Sequence, residues 1–157
     1  PWCATVLCLV SNGVPTVAMV SNLATGDRYT AVKGRGANRN GRPILVGPRS
    51  SLSESIIAVN GLPAAHWGWQ QFRAMGAAAL DIAAVARGGF DGYVDATVDS
   101  HGVWDYLASV LILEEAGGVA VDALGRDLTV LEHDARRTPI AASNTDLLAE
   151  LTAARRR

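Results

Sequence analysis

The chain has 157 residues, of which 49% are hydrophobic, 18% charged and 6% aromatic. That length suits one domain or two small lobes, and the apolar content excludes a disordered chain. Fourteen basic residues against fifteen acidic ones leave a net charge of −1, which excludes a broad nucleic-acid footprint; no apolar run reaches the roughly 18 residues of a membrane-spanning helix.

The first elements are strands. Residues 4–10, Ala-Thr-Val-Leu-Cys-Leu-Val, are rich in β-formers. Ser11-Asn12-Gly13-Val14-Pro15 is turn chemistry, and residues 16–21 make a second strand, so the pair reads as a hairpin. Residues 28–32 form a third strand. The basic, glycine-rich stretch 34–42 reads as a loop leading into a strand at 43–46. From residue 55 onward strand and helix alternate. The pattern predicts strands at 56–60, 90–95, 119–122 and 139–142. It predicts helices over 72–87, over 104–116 and from Asn144 or Thr145 to about Arg155. The closing Arg155-Arg156-Arg157 reads as a solvated helix end. The expected architecture is layered α/β: an antiparallel β meander followed by a small mixed sheet flanked by helices. The division falls at 1–52 and 53–157, with a soft boundary near 47–54.

Cys3 and Cys8 are five apart. On a strand they face opposite ways, about 16 Å apart, too far for the ~7 Å Cα separation of a disulfide. Their spacing suggests no zinc site, and a cytoplasmic setting is expected. No secretory pattern is present. Residue 1 is Pro, not Met, and an apolar strand begins almost at once. That start reads as Met removal or trimming, or as the later part of something longer.

The chemistry-bearing stretch runs from Asp91 to Gly118. Asp91 and Asp95 are four apart on one strand, hence on one face. Asp95 closes that strand, where open α/β sheets place ligand contacts. Asp105 follows Trp104 at a helix start, where a carboxylate either caps amides or holds a cation. The same helix end offers N–H donors to an anion. Glu114 and Glu115 read as exposed helix charges. His66, His101 and His133 read as isolated surface or loop residues, and Trp104 as core. The Gly34/Gly36 loop reads as turn geometry rather than a phosphate cradle. No Ser-His-Asp or Cys-His arrangement stands out.

The run Val103-Trp104-Asp105 through Glu114-Glu115-Ala116-Gly117-Gly118 resembles the C-terminal signature of the inositol monophosphatase family. Further pieces follow in that family's order: Lys33-Gly34-Arg35-Gly36-Ala37 with Asn40-Gly41, Arg73-Ala74-Met75-Gly76-Ala77-Ala78, Gly88-Gly89-Phe90-Asp91-Gly92-Tyr93, and Ala141-Ala142-Ser143-Asn144. The resemblance implies metal-assisted hydrolysis of a phosphate monoester, an inositol or sugar phosphate, with Mg²⁺ as cofactor. By it, Asp105 is a catalytic residue and metal ligand, Asp95 touches substrate hydroxyls, and Gly76, Ala77 and Ala78 line the substrate side. It also suggests a homodimer, while the charge balance and the lack of a long apolar run already argue against a nucleic-acid or membrane partner.

Three features depart from the family pattern: Leu107 stands where a small residue is usual, Ala77 where Ser or Thr is common, and the loop from Asp95 to Trp104 is long. The family's Gly-Glu-Glu and Asp-Pro-x-Asp-Gly-Thr segments are absent from these residues. The resemblance therefore implies that the chain partners a missing N-terminal segment of the same protein and is inactive alone. The alternative is a non-catalytic module that binds a sugar phosphate or a protein partner.

Overall fold

The computed structural model describes residues 2–156. Pro1, on which the reading of the chain's start rests, and Arg157 of the basic end lie outside them.

Strands β1 (Ala4–Ser11), β2 (Val14–Asn22), β3 (Arg28–Val32), β4 (Ala37–Arg39) and β5 (Arg42–Ile44) form an antiparallel meander in chain order. In β1 the half-buried Ala4, Val6, Cys8 and Val10 alternate with the exposed Thr5, Leu7, Leu9 and Ser11. This is the two-residue period of a strand with one covered face. The uncovered face is not polar. Leu7 pairs with Met19 and Leu9 with Val17, and Val17 pairs on to Val32. Leu7, Leu9 and Val32 are 53%, 55% and 41% exposed.

The stretch 34–42 is more regular than the expected loop. β4 and β5 close a hairpin through Asn40 and Gly41, with φ of +52° and +77°. Those values are the left-handed pair of a tight hairpin turn, for which Asn-Gly is the favoured dipeptide.

The second sheet is mixed. β6 (Ile56–Asn60) runs parallel to β7 (Gln71–Arg73) and to β8 (Gly92–Asp95); β9 (Val119–Asp122) and β10 (Pro139–Ala142) complete the order β7-β6-β8-β10-β9. The helices are α1 (Ala78–Ala86), α2 (Leu107–Glu115) and α3 (Thr145–Arg155). α1 and α2 fill the space between the sheets, and α3 covers the far face of the second one. The strand period sorts the core. Ala58, Tyr93 and Ala141 join α1, α2 and the meander in one cluster. Their neighbours Ile57, Val59, Val94, Ile140 and Ala142 pack on Leu147, Leu151 and Ala154 of α3 in another. Each fully buried Leu or Ile contributes about 1.5–3 kcal/mol. No helix among the described residues is long and apolar enough to cross a membrane.

Two helices are shorter than their patterns predict. The apolar run from Phe72 starts as strand β7, because its backbone pairs with β6, and Gly76 at φ +88° interrupts the path to α1. The helix expected at Trp104 opens as a 3₁₀ turn, Val103–Asp105. Tyr106 breaks it from α2: its side chain is buried and its hydroxyl donates to the Leu128 carbonyl at 2.8 Å.

Candidate active site

Asn60 and Asp95 are register partners at the carboxyl ends of the parallel strands β6 and β8. A cleft of about 450 Å³ opens beside these ends. Its walls are Asn60, Ser100, His101, Trp104 and Asp105, together with Gly76–Ala79 and the β1 residues Ala4 and Val6. Of the residues the resemblance marks, Gly76, Ala77, Ala78 and Asp105 meet in this cleft.

The Gly76–Ala79 wall is the N-terminus of α1. Ala77 occupies the cap position in an extended conformation, and no side chain caps the helix. An uncapped first turn leaves N–H groups and the positive end of the helix dipole free for an anion. Opposite, Asp105 is half-buried, and its Oδ2 accepts the Gly102 N–H at 3.0 Å. Among the described residues Oδ1 has no hydrogen-bond partner. Asp105 is thus both of the things its position allows: a cap through one oxygen and an open hard-oxygen donor through the other. That donor suits Mg²⁺, which takes one or two carboxylates plus phosphate and water. Among the described residues no group of three or more His, Cys, Asp or Glu side chains converges for a metal.

Asp95 does not line the cleft. It is 0% exposed. Its Oδ1 accepts the Asn60 Nδ2–H and the Thr97 N–H, both at 2.9 Å. Its Oδ2 meets the Ser100 hydroxyl, and His101 Nδ1 at 2.7 Å. Burial pushes this carboxyl up, but the bonds from His101, Ser100 and Asn60 outweigh it and hold the group below its ordinary value. The position implied for Asp95, against substrate hydroxyls, is therefore filled by protein donors. The long loop 96–102 supplies Thr97, Ser100 and His101, and β6 supplies Asn60. Gly61 permits that loop to close: its φ is +75°, and a Cβ there would collide with Thr97 Oγ1.

Other expectations change in the same region. His101 is a buried residue, 8% exposed, and not a surface one. Its backbone bridges to Arg137, and its Nε2 lies 3.5 Å from the Tyr93 hydroxyl. Ser100, His101 and Asp95 do stand together. They do not form a nucleophilic triad, because both Ser100 and Asp95 approach the same nitrogen, Nδ1, at 2.8 and 2.7 Å. A triad needs the hydroxyl on one ring nitrogen and the carboxylate on the other. Trp104 is not core but 47% exposed, with the His133 ring 5.1 Å and the Arg136 guanidinium 5.2 Å from its centre.

Asp91 is tied to partners other than those of Asp95. It lies just before β8, accepts the Ile56 N–H at 2.9 Å and pairs with Arg49 at 3.3 Å. Leu107, where a small residue is usual, is a core side chain of α2, 3% exposed. Asn60 is a cleft residue that sequence reasoning missed, as are Ser100, His101 and Trp104. It ends its apolar run as Asp95 ends its own, so the rule about strand ends pointed to both.

Comparison with known proteins bears on the family and the fold. The model of the inositol monophosphatase family matches residues 1–157. The inositol-1-monophosphatase of Rhizobium meliloti is 36% identical over 142 residues, 80% of this chain and 51% of that protein. The fructose-1,6-bisphosphatase/inositol-1-monophosphatase of Methanothermobacter thermautotrophicus is 35% identical over 144 residues, 83% and 49% respectively. A solved Pyrococcus horikoshii structure, described as similar to inositol-1 monophosphatase, superposes with a TM-score of 0.87 at 25% identity, covering 98% of this chain and 62% of that one. The layered fold, the ordered motifs and these matches make the chain a member of the inositol monophosphatase family. It spans about half the length of these two curated relatives.

Proposed function

We propose that these residues are the C-terminal, substrate-side part of a Mg²⁺-dependent phosphate monoester hydrolase acting on inositol or sugar phosphates. One observation carries the reading: the uncapped N-terminus of α1 and the open oxygen of Asp105 share one cleft. The α1 amides orient the phosphate. Asp105 is one ligand of the metal. Bound Mg²⁺ in such a site polarises a phosphate and lowers the pKa of water.

A single open carboxylate does not make a complete metal centre, so in this proposal the remaining ligands come from an N-terminal segment outside the 157 residues. The apolar strip of Leu7, Leu9, Val17, Met19 and Val32 supports that part of the reading, since a sheet face of this kind calls for cover. A division at 1–52 and 53–157 belongs to the same proposal, the meander being the remnant of a larger lobe. A homodimer rests on the family resemblance alone, and a cytoplasmic setting on the cysteine usage.

The test is phosphate release from inositol 1-phosphate with and without Mg²⁺. The 157-residue chain is expected to be inactive, and a longer protein carrying the upstream segment active. Appreciable Mg²⁺-dependent turnover by the chain alone overturns the division of the site.

A further inference from the structure

The sealed carboxylate of Asp95 leaves a different group facing the cleft. A carboxylate only accepts hydrogen bonds, so it dictates which end of the Asn60 amide turns toward it. Asn60 Nδ2 donates to Asp95 Oδ1 at 2.9 Å and reaches Ser100 Oγ at 3.4 Å. Both amide hydrogens are thereby engaged. Oδ1 is left with no partner among the described residues, on a half-buried side chain that lines the cleft. The neighbouring wall, Gly76–Ala79 with Ala4 and Val6, offers no side-chain polar atom.

We propose that Asn60 is a specificity residue: its Oδ1 accepts a hydrogen bond from a ring hydroxyl of the substrate, and Asp95, held by Ser100 and His101, is the positioning residue behind it. This deepens the proposed function and rests on it. A neutral acceptor backed by a buried carboxylate welcomes a hydroxyl donor and repels a second phosphate. The cleft therefore selects a polyol carrying one phosphate over a bisphosphate. Asp105 and the α1 amides address the phosphate, while Asn60 reads the polyol.

The experiment separates the two readings by omitting both phosphate and metal. The ¹⁵N-labelled protein is titrated with myo-inositol and, in parallel, with cyclohexanol, which keeps the ring and removes all but one hydroxyl. Inositol should shift the Asn60 side-chain amide and the Gly61 backbone amide saturably, and cyclohexanol should leave them in place. Asn60→Ala should weaken inositol binding by about fivefold, the loss of roughly one net hydrogen bond. Inositol binding that leaves the Asn60 amide unmoved, or that Asn60→Ala does not weaken, overturns the inference. The wild-type titration decides the matter even if the variant does not fold. Polyol binding through Asn60 in a protein whose longer form releases no phosphate would sink only the proposed reaction. Hydrolysis with an Asn60 that ignores inositol would sink only this inference.

Discussion

The Glu115 carboxylate accepts the Gly34 N–H at 2.7 Å, across 81 positions of sequence. The Gly36 N–H adds a second bond at 2.8 Å. Gly34 and Gly36 have φ of +74° and +77°, conformations that favour glycine, and their own amides face one concavity. The loop is an anion cradle after all, and its anion is the protein's own side chain. Glu115, expected as an exposed charge, is half-buried and joins the end of α2 to the meander, whereas Glu114 remains exposed.

Removing that carboxylate should loosen the joint. The Gly34 and Gly36 amides hold Glu115 below the ordinary glutamate range. Glu115→Ala is expected to cost about 1–2 kcal/mol, at the lower end for charge-assisted bonds because solvent reaches the site. A group with a lowered pKa stabilises the fold above its unfolded value and loses that contribution as pH falls through the folded one. The difference between wild type and variant in urea unfolding should therefore be present at pH 7 and shrink under acid conditions.

Asp81 should impose the opposite pH dependence. It is 1% exposed in the otherwise apolar α1, and burial pushes its pKa up to about 7 against two opposing bonds, from Trp2 Nε1 at 3.0 Å and from the Ala77 backbone. The folded protein therefore holds this proton more tightly than the unfolded chain does. The contribution of Asp81 itself should be greatest below about pH 4, fall as pH rises toward 7, and then level off, with a ceiling of about 4 kcal/mol. Asp81→Asn keeps an acceptor for Trp2 and abolishes the charge. The variant should match wild type at pH 4 and exceed it at pH 8 in paired denaturant melts.

The missing cap on α1 is open to a direct test. Ala77 has φ −144° and ψ 96°, a backbone already suited to a capping side chain. Ala77→Ser should stabilise the protein by about 1 kcal/mol, raising its Tm by roughly 2–4 °C. An unchanged Tm would mean that the first-turn amides are satisfied in another way.

Asp105 divides its two oxygens between structure and chemistry. Asp105→Asn retains an acceptor for the Gly102 N–H while withdrawing the charge offered to a metal. In a longer protein with Mg²⁺-dependent activity, this change should lower turnover more than about a hundredfold, since loss of outer partners alone costs 10–100-fold. The melting temperature without metal should hardly move. A variant that retains activity would remove Asp105 from the metal site.

The strands and helices were legible wherever a local pattern ran uninterrupted. β1 shows its alternation in Ala4 to Ser11, and α3 shows its Asn144 cap, whose side chain accepts the Leu147 N–H at 3.0 Å. The β4–β5 hairpin was announced by Asn40-Gly41 but hidden by the arginines around it. The beginning of α1 was misleading because Phe72 opens an apolar run whose first residues, Gln71–Arg73, β6 claims as an edge strand. Helical periodicity carries no information about a neighbouring strand that offers hydrogen bonds.

What the sequence determined by itself was the layered α/β fold, the family, and the residues gathered about the cleft: Gly76, Ala77, Ala78 and Asp105. The fold follows from propensity and spacing, and the family and these residues from motifs that resemble that family's, each spanning a few residues. Tertiary structure alone decided what each polar group faces. It buried Asp95 under loop 96–102, brought His101 inside, left Trp104 outside, and turned Glu115 into the anion for a loop 79 to 81 positions away. A carboxylate's role depends on which donors reach its lone pairs. In this chain those donors are delivered by loop closure and layer packing, at separations where local sequence pattern carries no signal.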